Sequence, residues 1–191
     1  MILAGGESRR LGQDKAEIRI GGEALWQRQA RVLRSAGADR IAIVRRPGQP
    51  APAGLDCQRD LGRNAGPIAG LHAALQAGTS PWTAVLAVDM PGIDADWFHR
   101  LRAFCRSGVG AVARHAEAFE PLAAIYPAEA SQEIATRLWR RDLSLQSLCR
   151  SLAEQGRMVV VPLAAADARR TASINTAADL RNAAGESGSR G

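Results

Sequence analysis

Along the chain, short apolar runs alternate with stretches whose apolar residues recur every three or four positions. The runs at residues 1–3, 41–44, 83–88, 109–113, 123–126 and 158–162 predict strands. Their alternation with helical stretches predicts an α/β fold with a mainly parallel sheet. In the first helical stretch, Trp26, Ala30 and Leu33 share one face and Gly37 ends it. A second helix starts near Pro67, carries Ile68, Leu71 and Leu75, and closes at Gly78. Proline suits that first turn because its missing N–H has no intrahelical partner to lose. Asp94 is placed to cap a third helix bearing Trp97, Leu101 and Phe104, and Ser144 a fourth bearing Leu145, Leu148 and Leu152. Residues 16–20 read as a further strand-like run, 47–54 as a Pro/Gly/Ala-rich loop, and 185–191 as a flexible tail. A chain of 191 residues then fits a single domain over 1–184.

Composition narrows the picture by exclusion. Hydrophobic residues make up 46%, with no uninterrupted apolar run long enough to span a bilayer, so no membrane association is expected. Gly5, Gly6, Arg9 and Arg10 interrupt the start where a secretory signal would need an apolar core, which leads to an expected cytoplasmic location. Cys57, Cys105 and Cys149 are scattered and read as small core residues. His72, His99 and His115 lack the spacing of metal ligands on a helix. The formal charge of +6 suggests an anionic partner. With only 4% aromatic residues there is little for nucleobases to stack on, so nucleic acid is not the expected partner. Of the 25 basic residues, 24 are arginine and only Lys15 is lysine. Lysine is a compact point charge and arginine a planar fork, so a lone lysine amid arginines suggests a place where the point charge is needed.

Lys15 lies in a stretch that concentrates anion-binding features. Residues 3–15 read L-A-G-G-E-S-R-R-L-G-Q-D-K, directly after the first strand. Gly5, Gly6 and Gly12 let backbone N–H groups approach phosphate oxygens, and Arg9, Arg10 and Lys15 add charge. The spacing is neither that of the P-loop nor that of the dinucleotide fingerprint. The second element is Asp89, which ends the run Val-Leu-Ala-Val-Asp before Met90 and Pro91. Ligands of open α/β sheets bind at the carboxyl ends of strands, and Mg²⁺ is commonly held by one or two carboxylates plus substrate phosphates. Asp89 is therefore a candidate metal anchor, although an aspartate there can also simply cap a turn.

Taken in order, residues 3–15, Gly66-Pro-Ile-Ala-Gly-Leu, Asp89-Met-Pro, Glu120-Pro-Leu and Ser173-Ile-Asn-Thr resemble the molybdenum cofactor guanylyltransferases, as does Leu25-Trp26-Gln27. The resemblance covers nearly the whole chain. It implies a Rossmann-like, three-layer nucleotidyltransferase fold that transfers GMP from GTP to the phosphate of molybdopterin, with Mg²⁺ as cofactor. By position, Leu3, Ala4, Gly5 and Gly6 would contact guanine and sugar, while Arg10, Gly12 and Lys15 would face the phosphates. Asp60 would bind the nucleotide and Asp89 would hold Mg²⁺, with Lys15, Arg10 and Asp89 as the catalytic set. Ser173 and Asn175 would lie on the molybdopterin side, and Ser173 replaces an asparagine often found there. Leu11 stands where methionine is common, Met1 directly precedes the strand residues and leaves the first strand short, and nothing is carried over at residues 44–46. The implied partners are GTP and the molybdopterin cofactor, with transient contact to molybdoenzymes or their chaperones, and a monomeric chain.

Two rival enzymes share this scaffold. A cytidylyltransferase for the same acceptor often has Leu-Ala-Ala-Gly where this chain has Leu-Ala-Gly-Gly, and a sugar-phosphate nucleotidyltransferase often has a longer chain. A third rival is a basic nucleotide- or RNA-binding module, whose binding would weaken steeply with salt and need no Mg²⁺.

Overall fold

Helices cover both faces of one sheet, and this explains why its strands are apolar on successive residues rather than alternate ones. The computed structural model describes residues 1–5, 13–60 and 65–187. β1 (Ile2–Leu3) is followed by a 3-10 turn (Lys15–Glu17), β2 (Arg19–Ile20), β3 (Glu23–Ala24), α1 (Leu25–Ser35), β4 (Ala42–Arg45) and β5 (Asp56–Arg59). Then come α2 (Pro67–Ala77), β6 (Trp82–Ala87), α3 (Ala95–Arg102), β7 (Gly110–His115), β8 (Ala118–Phe119) and β9 (Ala123–Pro127). The described chain ends with α4 (Ala130–Arg140), α5 (Leu145–Glu154), β10 (Met158–Pro162), a second 3-10 stretch (Ala165–Thr171) and α6 (Ala177–Ser187).

The main sheet runs β5-β4-β1-β6-β9-β7-β10, with β8 folded back on β7. Every pairing along it is parallel except those of β9, which runs against both β6 and β7. Successive residues of each strand point to opposite faces. Leu86, Ala111, Ala113, Ala123 and Ile125 join α1 and α3 in one core, where Trp97, Phe98, Leu25 and Leu33 are buried. Val85, Val112, Ala124 and Tyr126 join α2, α4 and α5 in the other, with Ile68, Ile134, Leu148 and Leu152. The result is three layers with a mainly parallel sheet in the middle, as expected. The chain winds outward from β1 to β4 and β5, then returns to place β6 on the other side of β1. This makes a topological switch point between β1 and β6, where ligands bind in open α/β folds.

All six predicted strands form within a residue or two, and Asp94 and Ser144 cap α3 and α5 by accepting from Trp97 N at 3.1 Å and Ser147 N at 3.2 Å. Three expectations need correction. Residues 16–20 are not one strand, because Asp14 caps a 3-10 turn before the short β2 begins. Phe104 does not extend the core face of α3, since the helix ends at Arg102 and Phe104 is 47% exposed. At the start of α1, Trp26 packs against the core beside Ala30 and Leu33 as expected, partly covered next to the fully buried Leu25. α6 continues to Ser187, so residues 185–187 of the expected tail are helical, and 188–191 lie outside the described residues. Glycine at 185 costs a helix only ~1 kcal/mol, which does not by itself stop one. Of the three cysteines, Cys149 is fully buried and Cys57 and Cys105 are partly so. Among the described residues no helix is long and apolar enough to cross a membrane.

Candidate functional site

At the switch point, the carboxyl ends of β1 and β6 open into a cleft of about 180 Å³ lined by Leu3, Ala4, Gly5, Lys15, Asp60 and Asp89. Gly66, Pro67 and Gly70 of the second motif form its α2 side, and Arg46 also borders it. A larger hollow of about 400 Å³ opens at the amino ends of the strands, beside Met1, Pro81 and Trp82. It contains none of the candidate chemical groups, whereas Lys15, Asp60 and Asp89 line the smaller cleft.

Lys15 is the centre of the site. Its Nζ donates to Asp89 Oδ2 at 2.7 Å and to Asn175 Oδ1 at 2.8 Å, joining residues 74 and 160 positions away in sequence. The lone lysine, the strand-end aspartate and the asparagine of the last motif thus meet at one point. The Lys15 and Asp89 side chains keep 16% and 20% of their surface exposed, so the pair is sheltered yet accessible.

Each member is held from behind. Asp89 follows β6, and Gln29 of α1, fully buried, donates from Nε2 to the carbonyls of Ala87 at 3.2 Å and Met90 at 2.9 Å, fixing the turn that displays Asp89. Ile174 N donates to Asp89 O at 2.8 Å, which ties the last motif to the same turn. Asn175 N and Thr176 N both donate to Asp179 Oδ2, at 2.9 and 2.8 Å, and Asp179 N donates to Thr176 Oγ1 at 3.2 Å. That reciprocal pattern is a capping box at the start of α6. The first of those bonds, from the Asn175 N–H, holds the Asp179 carboxyl below its ordinary range, with Thr176 adding to it.

Two glycines are required by geometry. A Cβ on Gly5 would lie 2.9 Å from Asp60 Oδ2, so only glycine lets the turn after β1 approach the buried Asp60 this closely. Gly66, before α2, has φ +62° and ψ −157°, a conformation open to glycine and strained for other residues. Glu120 lies two residues before Leu122, which lines the cleft. Burial pushes its carboxyl up from the ordinary range, while a hydrogen bond with Thr171 works against that shift. It therefore links the turn before β9 to the stretch leading to Ser173. Ser173 offers its carbonyl to Asn175 Nδ2 at 3.5 Å, beside the asparagine that Lys15 contacts.

Gly6, Arg9, Arg10, Leu11 and Gly12 lie outside the described residues. Gln29, within α1, and Arg46, directly after β4, are not marked out by the sequence. Among the described residues no group of three or more His, Cys, Asp or Glu could hold a metal ion. A single strand-end carboxylate such as Asp89 is the kind of ligand that Mg²⁺ commonly takes alongside substrate phosphates.

Residues 1–158 match the model of the MobA-like NTP transferase domain. The chain belongs to that family. A probable molybdenum cofactor guanylyltransferase of Opitutus terrae is 50% identical over 184 residues, covering 93% of this chain and 90% of the relative. A relative of the same name from Mycobacterium marinum is 32% identical, covering 94% and 90%. Among solved structures, molybdopterin-guanine dinucleotide biosynthesis protein A from Archaeoglobus fulgidus superposes with a TM-score of 0.72 at 24% identity, covering 98% of this chain and 97% of that one. The 2-C-methyl-D-erythritol 4-phosphate cytidylyltransferase of Thermus thermophilus reaches 0.70 at 20% identity, covering 97% of each chain. At these identities the structural likeness establishes the nucleotidyltransferase fold and nothing finer.

Proposed function

We propose that this family member transfers GMP from GTP to the terminal phosphate of the molybdopterin cofactor, giving the guanine dinucleotide form and pyrophosphate. The names of its full-length relatives support the reading. The observation that carries it is the Lys15 ammonium held between Asp89 and Asn175 at the mouth of the glycine-lined cleft. An acceptor phosphate oxygen attacks the α-phosphorus of GTP, a new P–O bond forms, and the bond from the α-phosphorus to the bridging oxygen of pyrophosphate breaks. The attacking oxygen is already anionic, so no general base is needed.

In this reading Leu3, Ala4 and Gly5 contact guanine and sugar, and the buried Asp60 supports that side. Lys15 turns its charge toward the triphosphate and stabilises the negative charge that builds on the leaving pyrophosphate, the kind of electrostatic term that dominates phosphoryl transfer. Asp89 is the residue that would hold Mg²⁺, which when bound neutralises charge on the triphosphate. Asn175 and Ser173 face the acceptor side. Gly6, Arg10 and Gly12 enter this scheme from the sequence alone, with Arg10 beside the phosphates. The substrates, GTP and the molybdopterin cofactor, are the partners the reading requires, and it assigns the reaction to the cytoplasm.

The test is to incubate the protein with molybdopterin cofactor, Mg²⁺ and each of GTP, CTP and ATP, and to identify any dinucleotide by mass. A guanine dinucleotide formed only with Mg²⁺ is expected. A cytosine dinucleotide as the main product would move the assignment to the cytidylyl rival. No product together with steeply salt-dependent RNA binding would replace catalysis with a binding role.

A further inference from the structure

Arg45, the last residue of β4, lies behind the cleft rather than in its wall, and none of its surface is exposed. A guanidinium without water is costly unless a carboxylate and good hydrogen-bond geometry compensate. Its partner is Asp14: Nη1 donates to Oδ1 at 3.2 Å and Nη2 donates to Oδ2, a two-pronged contact that fixes direction as well as distance. Arg45 Nε finds no partner among the described residues, which leaves much of the compensation to this one carboxylate. Asp14 has a second task. Its Oδ1 also accepts from Ala16 N at 3.0 Å and so caps the 3-10 turn that begins with Lys15.

These contacts form a continuous line from the sheet to the reactive group. β4 is fixed by its pairing with both β1 and β5. Arg45 orients Asp14, Asp14 shapes the turn, and the turn sets the point from which the long flexible stem of Lys15 reaches into the cleft. A lysine ammonium carries little directionality of its own, so where it sits depends on where its backbone is anchored. Stability gives no reason for the pair, because replacing a buried ion pair with well-packed neutral groups is often neutral or favourable.

We infer that Arg45 is a positioning residue: acting through Asp14, it sets where Lys15 presents its charge. The inference rests on the proposed phosphate role of Lys15, and its test reads the position of the lysine separately from activity. Because Lys15 is the only lysine in the chain, labelling with ¹³C,¹⁵N-lysine gives one side-chain set of resonances in the intact protein. The variants are Arg45→Met and the double variant Arg45→Leu with Asp14→Asn, in which asparagine keeps the cap and no buried charge is left unpaired. Should Arg45→Met fail to fold, the double variant carries the test.

In a folded variant with a thermal midpoint near that of the parent, the Lys15 Cε and Nζ resonances should shift toward those of a solvated lysine. kcat should fall at least about tenfold while KM for GTP changes less than about threefold, the pattern of a lost transition-state contact. Unchanged Lys15 resonances and unchanged kcat would show that the pair is only structural and would overturn the inference. Failure of the parent protein to form a guanine dinucleotide would instead reject the proposed function, and the lysine resonances would still report whether Arg45 positions Lys15.

Discussion

Two ion-paired clusters in this molecule are almost equally sheltered and are built for opposite purposes. Lys15 and Asp89 keep 16% and 20% of their side-chain surface exposed, and Arg137 and Glu133 keep 13% and 16%. Arg137 of α4 spreads its planar fork over several partners. It donates to Glu133 at 3.0 Å, to Asp142, and to Ser147 Oγ at 2.9 Å, stapling α4 to the first turn of α5. Glu133 also accepts from Gln155 at 2.8 Å, at the far end of α5. That staple holds the tight turn at Arg141, whose φ of +59° is unusual for a residue with a side chain. At the cleft, by contrast, the sole lysine of the chain is a point charge shared between two oxygens, which a phosphate replaces in the proposed reaction. Equal shelter therefore says little about role. What separates the clusters is whether the cation is locked by a fork or left able to change partners.

The comparison is tested most severely at Lys15. Lys15→Ala should lower turnover more than a hundredfold, or ~2.7 kcal/mol of transition-state stabilisation, with the fold intact at the assay temperature. Near-normal pyrophosphate release from that variant would end the case for a catalytic lysine. Arg137→Ala should do the reverse. Removing one partner from a sheltered cluster strands its carboxylates, and allowing for partial exposure the cost is about 2 kcal/mol, or roughly 4–8 °C for a chain of this length. Its kcat/KM, measured well below the unfolding transition, should match the parent. A loss of activity without loss of stability would mean that the two clusters do not differ in purpose. Asp89→Ala comes next, with at least a tenfold loss in Mg²⁺·GTP affinity, ~1.4 kcal/mol, and an intact fold. Unchanged affinity by calorimetry would remove Asp89 as the cation's anchor.

Much of this was legible because sequence reports periodicity and punctuation well. The strands around the cleft are apolar on successive residues, since both faces are covered, and Pro67, Asp94 and Ser144 mark helix starts by local hydrogen-bonding rules. Lys15 and Asp89 could be picked out by an odd composition and by a strand that ends in a carboxylate. What stayed hidden depends on distant partners. β5 reads Asp-Cys-Gln-Arg and shows no alternation, because an edge strand need not bury one face. Gln29 looks like a surface residue of α1, yet it is fully buried because three carbonyls of the β6 turn face it. Arg45 looks like the solvated end of a strand until Asp14, 31 residues earlier, is found against it. α4 and α6 were readable in principle, the first from Ala130 and Ile134 on one face and the second from the Thr-x-x-Asp cap that begins at Thr176.

The smallest predicted effect lies between the two clusters, at a structural cap that serves the functional one. Asp179 accepts from the N–H groups of Asn175 and Thr176, and so holds the turn that offers Asn175 to Lys15. Those bonds depress its folded pKa below the ordinary value of 3.8, so the folded state binds fewer protons there than the unfolded chain. The stabilisation is therefore present above about pH 4 and is lost as pH falls through the folded pKa. Asp179→Ala should lower the thermal midpoint slightly at pH 7, and the gap from the parent should close as both are titrated toward pH 3. A gap of equal size at both pH values would mean that the charge of Asp179 does not hold the turn. If the gap closes and turnover at pH 7 falls only about twofold, Asn175 is guided by this cap rather than fixed by it, and the proposed phosphate role rests on Lys15 itself.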